Sequence, residues 1–216
     1  MATTARPGKE ETRARIVTAA LQALRADGIA GISARAIARH GGFNQALIFY
    51  HFGSLEGLLV AVARRESERR SALYAPALRE VTSLPELVAV ARRLHDEEFA
   101  AGSVAALTQM LAGAVGSDEL ARGVWAALEP WTTLVQGTVE RLLADTPYRD
   151  ALPLDDLTFA ITALFLGVEL LTGLDPNGRQ TTLFATMESA AALVDGLVRG
   201  SPAATTTEGV SPPAAR

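Results

Sequence analysis

Residues 32–59 read ISARAIARHGGFNQALIFYHFGSLEGLL, and this stretch decides the fold. It divides into a short helix, a Gly-containing turn, a second short helix and, after a break, a third. Ile32, Ile37, Ile48 and Phe52 supply apolar anchors, while Arg35, Arg39, Asn44, Gln45, Tyr50 and His51 are polar or basic. That is the layout of a helix-turn-helix, whose second helix enters the DNA major groove while the first braces it. Phe43, Ile48 and Phe52 read as packing.

Helical spacing continues on both sides. A first helix is expected from about Glu10 to Ala26, with Ile16, Ala19, Ala20, Ala23 and Leu24 on one face and Asp27-Gly28 ending it. Ser33, Asn44 and Ser54 are candidate N-caps for helices two, three and four. Helix four carries Leu55, Leu58, Leu59 and Val62, then the charged run Arg64–Arg70, which reads as a link from head to body; Pro76 closes that region. Ser83-Leu-Pro-Glu86 fits a capping box in which Glu86 reaches back to the Ser83 amide. Helices follow to about Ala101 and over 104–112. A long one opens at Ser117-Asp-Glu and is kinked at Pro130, because its apolar pattern continues beyond that residue. Two more helices, about 155–173 and 180–199, close the fold.

Composition agrees with an all-α chain. Hydrophobic residues make up 49%, Ala and Leu dominate, and no long alternating Val/Ile/Thr run suggests a sheet. With 216 residues there is enough chain for a substantial core. The absence of Cys removes disulfides, thiolate zinc sites and Cys nucleophiles, and fits a reducing cytoplasm. No signal peptide or uncharged apolar run of spanning length is evident, so a soluble cytoplasmic protein without membrane contact is expected.

Charge is divided unevenly. Residues 1–70 hold 11 Lys/Arg against 6 Asp/Glu, a balance of +5, and residues 71–216 hold 9 against 18, a balance of −9. A basic head on an acidic body can grip phosphate locally while the body discourages unspecific contact.

The segments Arg35-Ala36-Ile37-Ala38, Gly42-Phe43-Asn44 and Phe49-Tyr50-His51-Phe52, followed by Ser54, resemble the DNA-reading end of the TetR family of bacterial regulators. The resemblance implies about nine helices, with a three-helix helix-turn-helix domain at 1–53 whose first eight residues form a flexible arm. A ligand-binding and dimerisation domain at 54–199 and a disordered tail at 200–216 would follow. Arg35 matches an Arg that the family often points at the groove, where a guanidinium can pair with guanine or clamp a phosphate. Gln45 can read adenine, and Ala46 is small enough to touch a thymine methyl. Tyr50, His51, Lys9 and Arg13 would serve phosphate, with Ser33 and Asn44 at the helix starts. Two positions depart from the pattern: Phe49 stands where the family usually has a phosphate-touching Tyr, and Leu55 where it usually has a Lys. Arg6, Lys9, Tyr50 and His51 are the candidates to compensate.

Ala160, Ala163, Leu164, Gly167 and Leu171 lie along one closing helix, and Leu183, Met187, Ala190, Ala191 and Val194 along the other. Two such hairpins can pack as a four-helix bundle between identical subunits, which is where the family dimerises. A two-fold dimer calls for a near-palindromic double-stranded operator. The remaining helices would surround a ligand cavity lined by His95, Phe99, Met110, Leu111, Trp125, Leu128, Trp131, Phe165 and Glu169, with Leu94 and Leu107 beside them. His95 and Glu169 are its possible polar anchors, and Glu169 could equally pair across the dimer interface.

The expectation is a sequence-specific transcriptional regulator, a repressor released from its operator by a small, largely apolar effector, with no cofactor and no enzymatic activity. Two alternatives remain open at this point: a ligand-free architectural or nucleoid protein on the same fold, and a metal-dependent enzyme using His95 and Glu98, which share a helix face.

Overall fold

The structure, a computed structural model, describes residues 8–172, 174 and 179–200. Among them every regular element is helical: α1 (Lys9–Gly31), α2 (Ala34–Gly41), α3 (Ala46–Phe52), α4 (Leu55–Glu80), α5 (Leu84–Ala100), α6 (Ser103–Ala114), α7 (Asp118–Ala127), α8 (Glu129–Leu143), α9 (Leu154–Thr172) and α10 (Gln180–Gly200). The described residues thus form ten helices where the sequence suggests about nine. The long helix expected from Ser117 is two, because Pro130 cannot donate within the first turn of α8. The Leu128 carbonyl accepts instead from Trp131 N at 2.9 Å and Thr132 N at 3.0 Å. Residues 1–7, with Arg6 of the expected arm, and the tail beyond α10 lie outside the described residues.

Ile16, Ala19, Ala20, Ala23 and Leu24 form the buried face of α1. At Gly28 the helix breaks with φ +66°, a backbone state in which a Cβ is strained, and then turns on to Gly31. The Ile29 amide, past the break, finds a partner across the fold, donating to Gln109 Oε1 of α6 at 3.0 Å. Ser33 Oγ caps α2 by accepting from Ala36 N at 3.1 Å, and Ser54 Oγ caps α4 by accepting from Gly57 N at 2.9 Å. Before α3, Gln45 takes the cap position without a side-chain bond, while Asn44 Oδ1 accepts from Ala46 N at 2.9 Å.

Pro76 does not end α4. The helix runs through it to Glu80, with Leu59, Ala63, Ser67, Arg70, Tyr74 and Leu78 forming a buried stripe at helical spacing. Tyr74 and Leu78 anchor the far side of Pro76 in the body core, so packing holds the helix together across the missing donor. At the start of α5, Glu86 accepts from the Thr82 amide at 2.8 Å and its hydroxyl at 3.0 Å, one residue earlier than the capping box predicts.

A single apolar core joins the head, α1–α3, to the body. Ile16, Leu24, Ile37 and Ile48 pack with Leu58 and Val62 of α4, and the same cluster continues into Met110 of α6 and Leu120 and Val124 of α7. A second cluster gathers Tyr74, Leu78, Val81 and Leu94, with Trp131 and Phe165 against it. α10 lies along α5. Among the described residues no single helix is long and apolar enough to cross a membrane.

Candidate functional site

The head turns one polar face outward. Ile37 and Ile48 are fully buried and seat α2 and α3 on the common core, which leaves Arg35 on α2 and Asn44, Gln45, Ala46, Phe49 and Tyr50 around α3 exposed. Tyr50 is 77% exposed. Ser33, at the start of α2, and Lys9, at the start of α1, are exposed as well. Gly41 permits the tight turn between the two helices, since a Cβ there would lie 2.1 Å from the Phe43 ring and 2.8 Å from Ala19 Cβ.

Arg13 and His51 occupy different surroundings. The Arg13 guanidinium stacks 4.4 Å from the Phe52 ring centroid and donates through Nη1 to the His51 carbonyl at 2.5 Å. It thereby holds the C-terminal end of α3, where the helix dipole favours a cation. His51 is half-buried, its ring edge-on to Tyr50 and its Nδ1 buried without a partner. Arg39 and His40, at the end of α2, both meet Asp27 Oδ2, at 3.3 and 3.0 Å.

In the body, Arg70 of α4 is buried between two carboxylates. Its Nε donates to Glu98 Oε2 of α5 and its Nη1 to Glu169 Oε2 of α9, each at 3.2 Å. Arg69 reaches the same Glu98 oxygen and also Glu66. Burial pushes the Glu98 carboxyl up, but the bond from Arg69 and the charges of Arg70 and Arg69 hold it below its ordinary value. At Glu169 burial wins and raises it, Arg70 offsetting only part. His95 is lowered, chiefly by burial; its Nε2 lies 3.3 Å from Thr172 Oγ1 and its ring packs on Phe184. The Tyr74 hydroxyl, raised by burial and by its bond to Glu97, donates to that carboxylate at 2.6 Å. Glu98 thus faces two guanidinium groups rather than sharing a metal position with His95, and no group of three His, Asp or Glu suited to a metal occurs among the described residues.

Two cavities lie in the body, and the smaller adjoins this network. The larger, about 290 Å³, is apolar and lies between α5, α8, α9 and α10, with Leu78 of α4 also in its wall. The smaller, about 30 Å³, lies beside Ser67 and Arg70 of α4 and Ser103 of α6. Trp131, Thr162 and Phe165 line both.

Residues 16–62 match the family model of bacterial regulatory proteins, tetR family. The head is that of the tetR family. Its fold extends through the body. A protein from Rhodococcus sp. assigned as a TetR-family transcriptional regulator is 19% identical, with 84% of this chain and 99% of that chain covered at a TM-score of 0.66. A protein from Pseudomonas aeruginosa PAO1 assigned as a transcriptional regulator is 24% identical, with 90% and 94% covered at 0.68. The regulator FadR from Bacillus subtilis, solved in complex with stearoyl-CoA, is 14% identical, with 87% and 98% covered at 0.68. At these identities the likeness is one of fold. The chain matches none of the curated proteins.

Within this tetR-type body the sequence-derived ligand residues separate into groups. Trp131 and Phe165 line both cavities, Met110 and Leu128 line the smaller one with Leu107, and Leu94 lines the larger. Leu111 and Trp125 border a separate shallow depression, which Leu128 also reaches, and Trp125 packs on Phe159. Phe99 is 48% exposed and stacks on His95. Glu169 is engaged by Arg70 within the chain, although its Oε1 has no partner. Along the closing helices Ala160, Ala163, Leu164, Leu171, Leu183, Ala190 and Val194 are exposed, and Gly167, Met187 and Ala191 are half-buried. Leu164, Met187, Ala190, Ala191 and Val194 also form part of the larger cavity wall.

Sequence reasoning passed over the polar bonds between head and body, Arg25 to Ser103 and Ile29 to Gln109. It also read Arg70 as part of a linking charged run. The signal for Arg70 was present, since it falls on the stripe that runs from Leu59 through Ala63 and Ser67 to Tyr74.

Proposed function

We propose that the chain is a homodimeric, sequence-specific DNA-binding repressor that leaves its operator when a small, largely apolar effector fills the cavity between α5, α8, α9 and α10. The observation that carries this reading is the pairing of an exposed polar face on α2 and α3 with an apolar cavity. Both rest on α4, which starts beside the recognition helix and contributes Leu78 to the cavity wall. Residues 1–53 would form the DNA-binding unit and 54–199 the effector and dimerisation unit.

Arg35 and Gln45 would read base edges, with Ala46 against a thymine methyl. Lys9, Tyr50 and His51 would meet phosphate, and the helix starts at Ser33 and Asn44 would add amide dipoles. Arg13 acts as a positioning residue that keeps the end of α3 in place. The dimer would form on α9 and α10, where Leu164, Leu171, Leu193 and Leu197 are each more than half exposed. An apolar effector would have to prefer the DNA-incompetent state by roughly 5.5 kcal/mol to move the population from about 1:99 to 99:1.

The experiment is selection of binding sites from a random duplex pool by the purified protein, followed by titration of the selected duplex. A near-palindromic site is expected, bound tightly enough to be distinguished from unrelated DNA. Enrichment of no site, with equal affinity for all duplexes, would support an architectural protein instead.

A further inference from the structure

The smaller cavity shares Trp131, Thr162 and Phe165 with the larger one and carries several polar groups in a mostly apolar wall. Its polar lining is Glu66, Ser67, Arg70, Ser103 and Thr162. Three of these are satisfied within the protein: Glu66 by Arg69, Arg70 by Glu98 and Glu169, and Ser103 by Arg25. The other two are not. Ser67 Oγ and Thr162 Oγ1 are buried without a hydrogen-bond partner, and both line the same chamber. Buried hydroxyls are ordinarily paired, so two orphans around one chamber mark a place for a small hydrogen-bonding group. A volume of about 30 Å³ admits a group of about water size.

Electrostatics narrows that group. Arg70 is the one cation lining the chamber among the described residues, and two carboxylates already hold it. A carboxylate head would have to compete with Glu98 and Glu169, and an ammonium would sit beside the Arg70 guanidinium. An uncharged hydroxyl can donate to one orphan oxygen and accept from the other. Thr162 stands where the chamber meets the apolar cavity, whose walls are otherwise aliphatic and aromatic.

We propose that the effector is an uncharged amphiphile, with its apolar body in the larger cavity and a single hydroxyl held by Ser67 and Thr162. The assignment rests on the reading of that cavity as the effector site and adds the class of molecule it takes.

The test is a matched series of 1-decanol, decanoate and decylamine titrated into the full chain carrying Trp125→Phe, which leaves Trp131 at the junction of the two cavities as the reporting fluorophore. Binding of 1-decanol about tenfold tighter than either charged analogue is expected. Ser67→Ala and Thr162→Val, checked for unchanged thermal melting, should each weaken 1-decanol about three- to tenfold. Decanoate or decylamine binding as tightly as 1-decanol would overturn the hydroxyl assignment and leave the effector cavity standing. So would 1-decanol binding that neither substitution alters. Trp131 emission indifferent to all three compounds would overturn both the assignment and the cavity reading.

Discussion

Arg25 Nη2 of α1 donates to Ser103 Oγ of α6 at 3.0 Å, which ties the head to the helix that borders the smaller cavity. Glu98, the carboxylate that Arg69 and Arg70 share, joins α5 to α4. Polar contacts thus link α9 to α4 and α5, and a separate one ties α6 to the first helix of the head. Arg25→Ala should lower unfolding stability by about 0.5–1.5 kcal/mol, the usual contribution of one such bond, read as a lower urea midpoint. Amide exchange at Ile29 and its neighbours should also quicken. Unchanged exchange there would mean that the bond does not help to hold the head on the body.

Three substitutions separate reading from positioning on the DNA face. Arg35→Ala should cost about 1–3 kcal/mol and relax preference at one base pair in each half-site. Lys9→Ala should weaken all duplexes alike and flatten the salt slope by about one unit. Arg13→Ala should weaken operator binding with the slope kept, because its guanidinium is spent on His51 and Phe52. A slope that flattens with Arg13→Ala would return that residue to the phosphate contacts.

Glu98 and Glu169 should leave opposite marks on stability against pH. Glu98 is held below its ordinary value of 4.5, so its contribution is present above that pH and is lost as pH falls through the folded value. Glu169 is raised above 4.5, so its contribution is complete below that pH and is lost as pH rises toward the folded value. Glu98→Gln should therefore flatten the acid side of the curve and Glu169→Gln the side above 4.5, measured as urea midpoints across the acid range. A Glu169→Gln curve parallel to wild type above 4.5 would count against this division.

Gly123 sets the spacing of α4 and α7. A Cβ at this position would lie 2.3 Å from Val60 Cγ2, so the two helices touch only because the side chain is absent. Gly123→Ala should destabilise by about 1–3 kcal/mol through forced separation, despite the better helix propensity of Ala. A variant that melts at or above the wild-type temperature would show that the contact relaxes freely.

Ala163 and Gly167 lie on α9 in the face proposed for self-association, Ala163 exposed and Gly167 half-buried. A Cβ at Gly167 would meet nothing within 4 Å in the single chain. Ala163→Arg and Gly167→Arg should thus leave the monomer folded while placing charge in the interface. Sedimentation is expected to give monomers for both and a dimer for the wild type. A wild-type monomer at micromolar concentration would remove the dimer from the proposal.

The sequence alone determined the helical composition, the helix-turn-helix and its resemblance to the tetR family. These follow from local signals: period-3.6 burial in α1, hydroxyl caps at Ser33 and Ser54, and glycines at the turns. Helix boundaries were less legible at the two prolines. Pro76 lies inside a helix because Tyr74 and Leu78 are packed in the body, whereas Pro130 begins a new one. Periodicity indicates which face of a helix turns inward, not what it meets there. Arg70 could be placed on the inward stripe of α4, but its partners stand 28 and 99 residues away on α5 and α9. Likewise Ser67 and Thr162 become two walls of one chamber only when α4 and α9 pack together. Such meetings depend on how far each helix is turned and shifted against its neighbours. Those quantities come from the fit of whole side-chain surfaces, and tertiary packing alone decides them.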